Sequence, residues 1–129
     1  MIKPVHALRL LNGSLFVLAA LGATGSAIAQ AVPRSFVASP DVYKVVAQSD
    51  EYLVIEVTWK AGQRDQLHSH SSAGGYYLTD CNLRSTSPNG PAREGYLPAG
   101  YAFANKPVAS HSVENVGKTD CKLIMFEPK

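Results

Sequence analysis

The chain has 129 residues, with 12 Lys and Arg against 10 Asp and Glu, 46% hydrophobic residues and two cysteines. That length makes a single domain, and no cluster of Lys and Arg supplies the concentrated basic face that nucleic acid demands. Lys3 and Arg9 both precede the first acidic residue, so residues 30–129 carry 10 basic against 10 acidic side chains.

Lys3 and Arg9 open the chain with positive charge, and the apolar run Leu15 to Ala23 follows. Small residues then end in Ala27-Ile28-Ala29-Gln30, an A-x-A cleavage pattern. The apolar run falls well short of the roughly 20 residues that span a bilayer. Residues 1–29 read as a signal peptide cut near Ala29-Gln30, leaving a periplasmic or secreted domain, 30–129, with no stable membrane span. An uncleaved anchor or a buried helix accounts for less of the three-part pattern.

Past the leader no stretch keeps a 3.6-residue apolar period, and short strand-like runs recur between turn residues. Ser35 to Ser39 reads as an edge strand stopped by Pro40, and Val42 to Ala47 follows it. Tyr52 to Trp59 is the strongest run, rich in β-branched and aromatic residues, and Ala61-Gly62 ends it. Gln66 to His70, Gly75 to Cys81 and Leu83 to Ser87 come next, the last closed by Pro88-Asn89-Gly90, a hairpin signal. Tyr101 to Asn105, Ser110 to Glu114 and Cys121 to Glu127 complete the set. Runs at this spacing predict an all-β sandwich or barrel, with Trp59, Phe126 and the Val and Ile positions in its core. Cys81 and Cys121 sit beside turn residues and, in an oxidising compartment, are expected to form a disulfide rather than two free thiols.

Three histidines follow the leader: His68, His70 and His111. In His68-Ser69-His70 the rings are two apart, so on a strand they share a face and can reach one ion. His111, in a later run, is the candidate third ligand. Two exposed histidines would also fit an isolated H-x-H. Gln66 shares the parity of His68 and is a candidate pocket residue, one that can support the ligands. One of Tyr76 and Tyr77 must point inward; Tyr76, Tyr77 and Tyr101 either line a pocket or simply pack. Glu114, at an odd offset from His111, faces the other way, and Asn115 closes a turn before Gly117.

Gly62, with five residues before His68-Ser69-His70, resembles the first motif of the cupins; Gly100, Pro107, His111 and Asn115 resemble the second. The resemblance covers roughly Val42 to Pro128. It implies a single jelly-roll barrel in which the histidines converge on a divalent transition metal: iron, zinc, nickel, copper or manganese. Two departures stand out. The positions of the family's glutamate ligand hold Gly74 and Gly75, and its closing glycine is replaced by Cys81 or Asn82. The second motif's internal glycine is likewise absent, with Val108 or Ala109 in its place. A centre of three neutral imidazoles is therefore expected, leaving the ion its full positive charge, with open space beside Gly74 and Gly75. By analogy with three-histidine oxygenases of this fold, the expected function is a metal-dependent oxygenase or oxidoreductase acting on a small anionic metabolite. The alternative is a non-catalytic domain that binds a metal or a small-molecule ligand. The family also makes a homodimer a possible assembly.

Overall fold

The computed structural model describes residues 30–129, so the expected signal peptide, residues 1–29, lies outside the described residues. One helical turn, α1 (Ser35–Ala38), is followed by nine strands: β1 (Tyr43–Gln48), β2 (Tyr52–Trp59), β3 (His68–His70), β4 (Ala73–Tyr77), β5 (Cys81–Thr86), β6 (Arg93–Leu97), β7 (Ala102–Asn105), β8 (Val108–Asn115) and β9 (Cys121–Pro128). They form a five-stranded sheet in the order β1-β2-β9-β4-β7 and a four-stranded sheet in the order β3-β8-β5-β6. Every strand pairing is antiparallel.

Strand alternation builds the core between the sheets. On β2 the inward row is Leu53, Ile55, Val57 and Trp59; on β9 it is Cys121, Leu123, Met125 and Glu127. Cys121 pairs with Trp59 in the register of β2 and β9 and is disulfide-bonded to Cys81 at the start of β5, so the bond staples one sheet to the other.

Three expectations change. Ser35 to Ser39 is a helical turn rather than an edge strand, because the Arg34 carbonyl accepts the N–H groups of both Val37 and Ala38. Phe126 is 47% exposed and outside the core, and Val37, Val45 and Val46, also expected inside, are exposed too. Beside Phe126, Met125 and Glu127 take the inward positions, and a strand turns alternate residues to opposite faces. The hairpin at Asn89-Gly90 is present, but its second strand, β6, was not expected; its mostly exposed residues show no apolar alternation.

Candidate metal centre

His68 and His70 enter from β3, and His111 enters from β8, directly opposite His68 in the register. Each ring is held from behind through Nδ1. The Gln66 carbonyl accepts from His68 Nδ1 at 2.7 Å, the Glu127 carboxylate accepts from His70 Nδ1, and Ser85 Oγ lies 3.1 Å from His111 Nδ1. A carbonyl and a carboxylate only accept, so the Nδ1 atoms of His68 and His70 carry the protons and their Nε2 atoms present lone pairs.

Those lone pairs meet. His68 Nε2 and His70 Nε2 are 2.9 Å apart, and His111 Nε2 is buried with no hydrogen-bond partner. The three ligand atoms lie within 4.8 Å of one another. Tyr43 Oη, which donates to Asp65 Oδ2 at 2.8 Å, also stands 3.3 Å from His68 Nε2 and has no second proton to offer it. Buried lone pairs facing one another repel unless a cation lies between them. Two imidazole nitrogens bonded to one ion at 2.0–2.1 Å stand no more than about 4.2 Å apart, and the closest pair, at 2.9 Å, lies within that span. The residues present therefore fit a transition-metal ion, which His68, His70 and His111 would hold.

The electrostatics agree. Burial, reinforced by His68 and His70, pushes His111 down to about 3. Burial also lowers His68, against the opposing pull of the Gln66 carbonyl and Asp65. Both rings are thus neutral at neutral pH, the form in which imidazole ligates. Burial and the adjacent Asp65 hold the Tyr43 hydroxyl well above its ordinary range, so it is a neutral phenol. For Glu127, burial raises the carboxyl, but the hydrogen bonds from His70 and Arg34 outweigh it and the net shift is downward.

Two carboxylates that the spacing did not reveal stand behind the ligands. Glu127 is fully buried and accepts from Arg34 Nη2 at 2.6 Å as well as from His70. Asp65 is buried and accepts from Tyr43, from Trp59 Nε1 at 3.0 Å and from the Val113 N–H at 2.6 Å; its Oδ1 is 3.6 Å from His68 Nδ1. No carboxylate replaces the missing glutamate as a ligand; the two stand one side chain further out, and Glu127 is already paired with Arg34. Glu127 was detectable in principle, because it shares parity with Cys121, Leu123 and Met125. Asp65 carried no such signal, since it precedes β3 in a loop.

A cavity of about 420 Å³ opens beside the cluster, with Trp59, Tyr77, Leu83, Leu97, Phe103 and Met125 on its apolar wall and His70 and His111 at its polar end. Tyr77 faces this cavity, and burial pushes its hydroxyl up to about 12. Tyr76 turns outward and is 49% exposed, as alternation requires; Tyr101 also lies outside the cavity wall, 46% exposed. Gln66 is exposed and meets the site only through its backbone carbonyl. The expected opening is closed at Gly75, where a Cβ would stand 2.4 Å from the Phe103 ring; at Gly74 a Cβ would make ordinary contact with the Phe103 carbonyl at 3.7 Å, and neither glycine lines the cavity. The glycine that lines the cavity is Gly95 on β6, where an added Cβ would meet nothing within 4 Å. Glu114 pairs with Arg84, away from His111, and Asn115 accepts the Gly117 N–H in the turn it closes.

No protein-family model matches the chain, and no curated protein matches it in sequence. Solved structures do. A cupin domain from Bordetella pertussis is 21% identical with a TM-score of 0.62, covering 68% of this chain and 92% of that one. An RmlC-like cupin with a double-stranded β-helix fold from Methanocaldococcus jannaschii is 8% identical with a TM-score of 0.55, covering 67% and 78%. A double-stranded β-helix protein from Klebsiella pneumoniae is 20% identical with a TM-score of 0.53, covering 67% and 76%. The chain is thus an all-β protein with the cupin fold.

Proposed function

We propose that the protein is an exported metal-binding cupin whose three-histidine centre serves a metal-dependent oxidation of a small anionic molecule held in the barrel. The observation that carries this reading is the orientation of the rings. Each Nδ1 has a partner, so three Nε2 atoms are left facing one another beside an apolar cavity. A bound divalent transition metal supplies Lewis acidity and, for a redox-active ion, electron transfer. The chain's own residues do the rest. Gln66, Glu127 and Ser85 fix the rings, the apolar wall excludes water, and Tyr43 keeps its proton, its O–H directed at Asp65 rather than at His68. The Cys81–Cys121 disulfide supports export, because such bonds persist in oxidising compartments. Among the described residues no helix is long and apolar enough to cross a membrane.

A second reading, capture of a metal or ligand without turnover, is favoured by one feature. Among the described residues the sole carboxylate lining the cavity is Glu94, and Arg84 holds it at 2.6 Å, so no free carboxylate base of theirs faces a ligand there. Elemental analysis of protein purified from an oxidising compartment tests the centre. One transition-metal ion per chain, lost in His68→Ala and His111→Ala, is the expected result; metal content unchanged by both substitutions overturns it. Oxygen consumption with small thiols, diketones and phenols then separates enzyme from binder.

A further inference from the structure

The cavity's charged residues lie at its histidine end. Arg93, the first residue of β6, is opposite Ser85 in the register, and cross-strand partners share a face. Ser85 in turn touches His111 Nδ1, so Arg93 flanks His111 across one residue. Lys106 precedes β8, whose first residue Val108 pairs with His70. Both cations line the cavity and both are solvent-exposed. Among the described residues neither has an ion-pair partner, and Glu94 is already taken by Arg84. Two unneutralised cations thus line the same cavity as His70 and His111.

On the reading of this cavity as the ligand site, we propose that Arg93 and Lys106 form an anion-holding rim. The ligand class is a small carboxylate with an apolar body: the carboxylate rests between the two cations and the body lies against Leu83, Leu97, Phe103 and Met125. The atoms next to the carboxylate are thereby placed at His70 and His111, while the charge is met by the protein rather than by the centre. Gly95, between Arg93 and Leu97 on the inward row of β6, leaves the passage open.

Trp59 is the single tryptophan of the chain and lines the cavity, so its fluorescence reports occupancy. The probes are 3-phenylpropionate and its neutral amide, titrated into chelator-treated and zinc-loaded protein. The acid is expected to bind chelator-treated protein about tenfold more tightly than the amide, the scale of one charge-assisted hydrogen bond. That preference should vanish in the double variant Arg93→Gln, Lys106→Gln and shrink with added salt. Equal binding of acid and amide, a preference that survives the double variant, or no binding of either probe overturns the proposal. A preference seen only with zinc present also overturns it, because the anion is then held by the metal. Gly95→Val should abolish binding of both probes; binding unchanged by Gly95→Val refutes the cavity as the ligand site. Metal content, measured separately, reports on the histidine centre whatever the probes do.

Discussion

Glu127→Gln perturbs the centre through a residue that does not face the ion. The carboxylate accepts from two donors, His70 Nδ1 and Arg34 Nη2, and is fully buried. A carboxamide has one acceptor and one donor, so whichever way it is placed a donor meets a donor. If the amide nitrogen faces His70, the ring's proton is driven to Nε2, the atom the metal needs. Loss of such an orienting partner lowers metal affinity by about 10–100-fold, or about 1.4–2.7 kcal/mol. Folding stability should also fall. Breaking a buried pair costs about 3–5 kcal/mol, but the Arg34 side chain is 28% exposed and keeps the Pro128 carbonyl at 2.8 Å. One of the two hydrogen bonds also survives in the variant, so about 1.5–3 kcal/mol is expected. Competition of zinc against a chromophoric chelator gives the affinity, and urea denaturation of metal-free protein gives the stability. A folded Glu127→Gln protein that binds zinc within twofold of the parent would refute the assignment of Glu127 as the group orienting His70.

Acid should destabilise the metal-free protein. His111 stays neutral in the fold down to about pH 3, whereas the unfolded chain protonates it near its ordinary value. The unfolded state therefore binds the extra proton between those limits, and stability falls on acidification from about pH 6.5 by up to about 1.4 kcal/mol per pH unit for this group. Glu127 acts in the same direction: its lowered pKa contributes stability above the ordinary carboxylate range that is lost as pH falls through the folded value. Urea titrations at pH 7, 6 and 5 showing constant or rising stability would contradict the His111 assignment, and titrations continued from pH 5 to pH 3 with no further loss would contradict the Glu127 one. Removing the disulfide by the double substitution Cys81→Ser, Cys121→Ser opens a loop with a sequence separation of 40. Loop-closure entropy puts the cost at about 4 kcal/mol, and a loss under about 1 kcal/mol would show that the bond constrains the unfolded chain far less than its loop implies. The two inward glycines should respond oppositely. Gly75→Ala drives a methyl into the Phe103 ring and the Ile124 carbonyl, costing about 1–3 kcal/mol, whereas Gly95→Ala enters open space and should stay within about 0.5 kcal/mol. Thermal melts of the pair check this, and equal melting temperatures would contradict the packing described around Gly75.

Much of the centre was legible along the chain. The two-residue spacing of His68 and His70 is enough to put both rings on one strand face, because that periodicity is local. The third ligand, His111, emerged from its resemblance to a family motif rather than from periodicity. Glu127 stayed hidden because its importance comes from His70 and Arg34, both far from it in the chain. Phe126 was misread for a different reason: apolar character favours the inside, but parity on β9 is common to the whole strand. With Cys121, Leu123 and Met125 inward, Phe126 had to face out and Glu127 in. The glycines show a similar limit, since whether a missing side chain leaves a gap depends on what packs there.

What the sequence determined by itself was the all-β class, the paired histidines and the candidate cysteine pair, all carried by local alternation, turn chemistry and residue type. Only the tertiary structure decided that Phe103 closes the space at Gly75 while Gly95 stays open. It alone placed Glu127 and Asp65 behind the rings and set Arg93 and Lys106 on the cavity that His70 and His111 line. Those are contacts between segments far apart in the chain. They depend on strand order and register, which no local pattern encodes.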